Sequence, residues 1–355
     1  MGCCDDPFTL APSEPLPAGS PNVNRRGVLK GFAAAAGSIA ALAGAKPARA
    51  QARAVRLAFC SQLLCIIPYE VARAKGRFAE QGLEVELVYT RGGNAAMQAL
   101  VGGAVDYAAT SLDVAMQAFA RGAPIRRFAT TGQLPLFALA TAPARADEIG
   151  AIEDLAGRTV GVSALGNADH ALMLYLLERA GVEPTSVQFA TLGPNILEAL
   201  RQGQIDAGLV QEPALTLVIE AGGRTLVNAM DVEDAQRFLG GPYEFMGVAV
   251  RADELEERRE EMRKLALGLR DGLGDLQQMS PDELVATLPS ELTTGGNLEE
   301  LARIIERYRE SLYPQDVAID LEAAQRVAAT LAVAGLVPAD LVYAELFDTS
   351  IVEGG

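Results

Sequence analysis

Apolar and polar positions along this chain alternate between two periods. Short, mostly apolar runs bounded by Gly, Asp or Pro predict strands; longer stretches with apolar positions three and four apart predict helices. Residues 54–59 read as a first strand, 69–81 as a helix stopped by Gly82, and 84–89 as a second strand. A helix opens at Gly93 and closes at Gly102-Gly103. The strand 106–110, the helix 112–120 and the strands 125–130 and 135–141 complete a first unit. A second unit begins near Pro143 with strands at 159–163, 187–191, 206–210 and 224–228, and helices at 167–180, 196–201 and 213–221 between them. From Asp253 onward the pattern is nearly continuous helix: 254–279, one from Ser280-Pro281, 297–312, 321–334, and a last one starting at Pro338. The charged faces of these helices over apolar stripes such as Leu265, Leu269, Leu273 and Leu276 read as solvated packing surfaces.

Strands alternating with helices predict an α/β architecture. The two units also share one grammar, since Gly103-Ala104-Val105-Asp106 in the first answers Gly203-Gln204-Ile205-Asp206 in the second. Two similar halves facing each other across a cleft are therefore expected.

The N-terminus follows another pattern. Adjacent Arg25-Arg26 precede the apolar run 32–43 and the small-x-small site Ala48-Arg49-Ala50. That order fits a twin-arginine export signal over residues 1–50, cleaved before Gln51, with the twin-arginine translocase as partner. The run is too short to span roughly 30 Å of hydrocarbon. An uncut N-terminal anchor is the alternative. The segment before Arg25, rich in Pro and Ser, reads as disordered. The expected site of action is the periplasm.

Charge narrows the partners. The chain carries 46 acids against 30 Lys and Arg, formal charge −16. The first 50 residues hold more bases than acids, so the remainder is more acidic still. Such a surface repels nucleic acid and anionic lipid. His170 is the only histidine, which rules out a zinc centre built on several imidazoles. No metal, cofactor or phosphate-loop motif appears. Cys60 and Cys65 fit buried thiols better than a bridge, because a disulfide between them would close a very small loop.

Ligands of open α/β sheets bind beyond the carboxyl ends of the strands, where helix N-termini offer free N–H groups. Four loops qualify: Ser61-Gln62-Leu63-Leu64 with Tyr69 behind it, Thr110-Ser111-Leu112-Asp113, Ser163-Ala164-Leu165-Gly166-Asn167 with His170 one turn in, and Gln211-Glu212-Pro213, where the proline suits a first helical position. Candidate ligand-binding residues are thus Gln62, Leu63, Tyr69, Ser111, Asp113, Ser163, Asn167, His170, Gln211 and Glu212, with Gln133 as a further candidate between the units. Capping alone accounts for any one of Ser111, Asp113, Ser163 and Asn167; their equivalent placement in both units favours a shared cleft. Asp113 and Glu212, if both line it, favour an amine or N–H-bearing ring over a bare sulfonate. His170 is either a ligand donor or a packing residue. A catalytic reading needs Cys65 or Cys60 as a nucleophile with His170 as base; no neighbouring base is evident in sequence, so no residue is assigned as catalytic.

The segments 74–83, 155–162 and Gly203-Gln204-Ile205-Asp206-Ala207-Gly208 leading to Glu212-Pro213, together with the closing Phe347-Asp348-Thr349-Ser350-Ile351-Val352, carry a family resemblance. The chain resembles periplasmic solute-binding proteins of ABC importers, in the nitrate/sulfonate/taurine and thiamine-pyrimidine-precursor group. The resemblance implies a two-lobed type II periplasmic-binding-protein fold with two crossing strands and a helical C-terminal tail. Lobe 1 would comprise 51–142 plus 248–355, and lobe 2 143–247. It also implies a monomer that captures a small polar or anionic molecule (sulfonate, taurine, nitrate or pyrimidine-like) and delivers it to an ABC permease. Alternatives are a desulfinase-like hydrolase using Cys65, or the binding subunit of a sensor. Many members carry an aromatic residue, often Trp, in the first loop; here Gln62-Leu63-Leu64-Cys65 stands there and the chain has no Trp. Asn167-Ala168-Asp169-His170 is similar to the helix start of the sulfonate and nitrate binders.

Overall fold

A computed structural model describes residues 53–60, 62–293 and 297–353. The proposed export segment and Ser61 lie outside the described residues. Among the described residues, ten strands form two five-stranded sheets. The first has the order β2-β1-β3-β10-β4, from β1 (Arg53–Cys60), β2 (Leu83–Thr90), β3 (Tyr107–Ser111), β4 (Ile125–Thr130) and β10 (Met246–Arg251). The second has the order β7-β6-β8-β5-β9, from β5 (Ala138–Thr141), β6 (Thr159–Val162), β7 (Gln188–Thr191), β8 (Ala207–Val210) and β9 (Thr225–Asn228). β1, β2 and β3 are parallel, as are β6, β7 and β8. In each sheet one strand from the other side of a crossover enters antiparallel: β10 in the first, β5 in the second. The two sheets therefore have the same topology.

Helices α1 (Leu63–Ala74), α2 (Arg77–Glu80), α3 (Gly93–Val101) and α4 (Leu112–Ala120) belong to the first half, and α5 (Ala168–Arg179), α6 (Ile196–Arg201) and α7 (Ala214–Glu220) to the second. The short α8 (Val232–Asp234) leads back towards β10. The tail holds α9 (Leu255–Gln278), α10 (Pro281–Thr287), α11 (Ser290–Thr293), α12 (Leu298–Leu312), α13 (Leu321–Val333) and α14 (Ser350–Glu353). α9 lays the predicted leucine stripe against α1 and α2, and Gly272 is needed there: a Cβ would come within 2.6 Å of the Ala72 methyl. Arg77 locks this contact with two hydrogen bonds to Asp275, 2.7 and 2.8 Å long.

Several expectations change. The single helix expected over 69–81 starts earlier, at Leu63, and breaks at Gly76, whose φ of 75° ends α1 and starts α2. The strand expected over 135–141 is shorter and pairs with β8 and β9, so it belongs to the second sheet and not to the first unit. The apolar run Met246–Arg251, not read as an element, is an inner strand of the first sheet, antiparallel between β3 and β4. No α-helix starts at Pro338; a 3₁₀ turn at Ala344–Leu346 leads instead to Phe347 and Asp348, which bond alongside Arg127 on β4. The tail also touches the second half: α13 packs against both α4 and α5. α12 also reaches the second half, where Tyr308 Oη accepts from Asn228 at 3.0 Å.

Candidate functional site: a cleft between two sheets

Four of the strand-to-helix turns meet where the two sheets face each other. Around them lies a cavity of about 40 Å³ walled by Gln62, Arg91, Ser111, Ser163 and Asn167, together with Cys60, Cys65 and Phe137. A second, more open groove of about 300 Å³ shares Gln62, Phe137 and Ser163 with it and runs along the second half past Leu63, Gln211 and Glu212. Its remaining wall is largely apolar, with Ile196, Leu197, Leu209 and Leu217.

Around the cavity, hydrogen bonds join the strand-to-helix turns and helices of the two halves. Gln211 Nε2 donates to Gln62 Oε1 at 2.5 Å, the Asn94 N–H to Asn167 Oδ1 at 3.4 Å, and Gln117 Nε2 to the Gly166 carbonyl at 3.0 Å. Gly92 makes this approach feasible, because a Cβ there would sit 3.1 Å from the Asn167 amide nitrogen. These contacts describe a closed cleft.

The second half contributes a polar turn in which each group is held by another. Asp169, one residue into α5, accepts from the Ser163 N–H at 2.5 Å and from Ser163 Oγ at 2.8 Å. Ser163 Oγ in turn accepts from Asn167 Nδ2 at 2.9 Å. With the Ser163 proton committed to Asp169, Asn167 keeps its second amide hydrogen and Ser111 its hydroxyl proton for the cavity they line. Ser111 caps α4, accepting weakly from the Val114 N–H at 3.4 Å, which leaves its own proton available.

Arg91 was not singled out from the sequence. It follows β2 directly, its side chain is exposed at the cavity, and no hydrogen bond or ion pair holds its guanidinium among the described residues. It brings positive charge to a wall that is otherwise neutral. The signal that could have found it is positional: Thr90-Arg91-Gly92-Gly93 is a strand-to-helix turn at the carboxyl end of a parallel strand, like the four that were considered.

Other candidates lie elsewhere. Tyr69 is fully buried behind the first turn, stacked on Phe59 and bonded to Thr131 Oγ1 at 2.6 Å; burial pushes its phenol up. Asp113 points away from the cavity and accepts from Tyr243 Oη at 2.8 Å. Burial raises its carboxyl to about 6, and its second oxygen has no partner among the described residues. Glu212 lines the open groove but not the small cavity; it accepts from the Thr216 N–H at 3.0 Å, and burial raises its carboxyl. Pro213 stands just before α7 rather than inside it, joined by a cis peptide bond. Gln133 bonds the Glu310 carbonyl at 2.9 Å and lines a separate hollow beside Pro242. His170 is 9% exposed, and its Nδ1 accepts from the Gly166 N–H at 3.1 Å while the ring packs edge-on against Phe189. Burial lowers its basicity, so the imidazole stays neutral and serves the turn. The acidic pair that would have opposed an anion is thus absent from the cavity wall.

Cys60 and Cys65 are both free and buried, and they line the cavity. The neighbouring Cys65 thiol holds Cys60 below its usual range, while burial pushes Cys65 well above it.

The sequence matches the model of the family described as NMT1/THI5 like over residues 65–283. No curated protein matches the chain. Among solved structures, a protein from Bordetella bronchiseptica RB50 is 23% identical, with a TM-score of 0.77 over 85% of this chain and 96% of its own. The alkanesulfonate-binding protein SsuA from Xanthomonas axonopodis pv. citri, bound to MOPS, is 18% identical, with a TM-score of 0.66 over 84% of this chain and 99% of its own. The nitrate-binding protein NrtA from Synechocystis PCC 6803 is 16% identical, with a TM-score of 0.61 over 82% and 83%. At these identities the likeness speaks for a shared fold, the two-lobed one of periplasmic binding proteins.

Proposed function

The chain belongs to the NMT1/THI5-like family, and on that premise we propose that it is an extracytoplasmic solute-binding protein. It captures a small anionic molecule between its two halves and hands it to an ABC permease. The observation that carries this reading is the composition of the cavity wall: Gln62, Ser111 and Arg91, which is without a partner among the described residues, come from one half, Ser163 and Asn167 from the other. A solute held there ties the halves together, so binding and hinge closure are one event. Donors from Ser111, Asn167 and Arg91, with no carboxylate on that wall, favour a sulfonate-, nitrate- or carboxylate-like head over an amine. The sulfonate- and nitrate-binding proteins that share the fold agree with this choice. Export through the twin-arginine route, cleavage near Gln51 and action as a monomer belong to the same reading, supported by Arg25-Arg26 and the short apolar run. Among the described residues no helix is long and apolar enough to cross a membrane.

Calorimetric titration with methanesulfonate, taurine, nitrate and a pyrimidine tests it. We expect one of the anions to bind, and Arg91→Ala to weaken it by about tenfold or more through loss of a charged donor. Failure of all four, with no solute copurifying, removes the reading. A permease and an ATPase encoded next to this gene would favour import over sensing. Hydrolysis by Cys65 lacks support because the neutral His170 is engaged by Gly166.

A further inference from the structure

Cys60 ends β1 and Cys65 lies in the first turn of α1, and both reach the same cavity wall. We infer that Cys60 and Cys65 form a redox-active dithiol of the cleft, which small disulfides oxidise to an intramolecular disulfide when the two halves part. This goes beyond solute capture and requires no bound solute.

Three observations carry it. Both cysteines line the wall of one cavity of about 40 Å³, so closure needs little movement of either. The two thiols are inequivalent: the neighbouring Cys65 thiol holds Cys60 below its usual range while burial pushes Cys65 up, and the Arg91 guanidinium shares the wall, an electropositive setting of the kind that favours a thiolate. Finally, the pair is wired to the closed state through Gln62. Its Oε1 lies 4.0 Å from Cys65 Sγ and also accepts from Gln211 of the other half. The thiols are 5% and 3% exposed, so a disulfide reagent reaches them only after the cleft opens.

The chemistry balances with a small disulfide as oxidant. Cys60 gives its proton to water, and the thiolate attacks one sulfur of R–S–S–R. The S–S bond of the reagent breaks, a Cys60–S–S–R bond forms, and RS⁻ leaves to take up a proton. Cys65 then loses its proton and attacks Cys60 Sγ, expelling the second RS⁻. Two protein thiols are oxidised and one disulfide is reduced to two thiols. The product lacks the Cys65 S–H that faces Gln62, and α1 is drawn towards β1, so the oxidised protein closes less readily.

The test uses the full chain with Cys3→Ser and Cys4→Ser, leaving only this pair, incubated with oxidised glutathione and followed by intact mass and alkylation. We expect loss of two hydrogens with no lasting adduct. Cys65→Ser should trap one glutathione on Cys60, and Cys60→Ser should react about tenfold more slowly or worse. Gln211→Ala, which frees Gln62, should speed oxidation several-fold. A persistent glutathione adduct on the intact pair, or thiols that stay reduced in the native chain while the urea-unfolded chain oxidises, overturns the proposal without any variant. An unchanged rate in Gln211→Ala overturns the dependence on opening. Neither outcome depends on whether an anion binds.

Discussion

Asp106 and Asp206 occupy the same point in two sheets of the same topology, and they do the same thing. Each carboxylate accepts from a backbone N–H of its neighbouring strand, that of Arg56 in β1 and of Thr159 in β6, at 2.8 Å in both cases. Each backbone N–H returns a bond to the carbonyl of that residue, at 3.0 and 2.9 Å. Each is then faced by arginine, Arg258 in the first half and Arg145 in the second. At the opposite, carboxyl ends of the strands the halves diverge. The first presents Gln62, two thiols and Arg91; the second presents the Ser163–Asp169–Asn167 network. Residues repeated between the halves belong to the frame, and residues that differ belong to the cleft.

The largest departure from that symmetry lies at the crossover. β4 carries Arg127, fully buried, bonded to Glu244 at 3.0 Å and to the carbonyls of Thr110 and Phe245. β9, its counterpart in the second sheet, is Thr225-Leu226-Val227-Asn228 and has no charge. Removing one partner of a buried ion pair strands the other, so Arg127→Met should cost about 3–5 kcal/mol in urea unfolding. Adding Glu244→Gln should recover part of it. A loss below about 1 kcal/mol would show that the pair does not hold the crossover.

The frame itself can be challenged next. Asp106→Ala and Asp206→Ala each remove a charge-assisted acceptor from a backbone N–H and should each cost about 1–3 kcal/mol. Similar losses by denaturant titration support an equivalent role. If one site tolerates alanine and the other does not, the repeat is only topological.

Asp113 offers a smaller, pH-dependent contrast with Glu212, its counterpart in the second half. Burial raises the Asp113 carboxyl to about 6. Its folded value therefore exceeds its unfolded one, so the native chain holds the extra proton between about pH 4 and 6. The stability this supplies is present below that window and is lost as pH rises through 6. Asp113→Asn keeps an acceptor for Tyr243 and should stabilise the protein at pH 7 by about 1–2 kcal/mol, with the gain vanishing near pH 4. Thermal melts across that range check it; a gain that does not depend on pH would refute the assignment.

Much of this frame was legible because it is local. The periods of Leu112–Ala120, Ile125–Thr130 and Ile196–Arg201 end where the predicted elements end, at glycine or at a cap. What escaped is non-local. Nothing within 135–141 says which sheet it joins, because that is decided by β8 and β9. Met246–Arg251 is buried on both faces and so shows no alternation to read. At the cleft, the strand-to-helix rule found Gln62, Ser111, Ser163 and Asn167. It could not tell which way α4 turns Asp113, nor that Tyr69 would be sealed behind Phe59. Arg91 was missed for want of an apolar cue, although its turn obeys the same rule.

Gln133 gives the smallest expected effect and a clean control. It follows the first sheet in sequence, at the crossover where a cleft residue would be expected, yet its side chain turns outward to the carbonyl of Glu310 on α12. Its backbone does the structural work: the N–H donates to the Leu312 carbonyl at 2.9 Å, and its own carbonyl accepts from Tyr243. Both bonds survive truncation of the side chain. Gln133→Ala should therefore shift stability by less than about 0.5 kcal/mol and leave anion titrations as they are. Asn167→Ala should leave the fold standing while weakening them. If Gln133→Ala lowers affinity as much as Asn167→Ala does, the binding surface extends through the crossover, and the boundary drawn here between frame and cleft is in the wrong place.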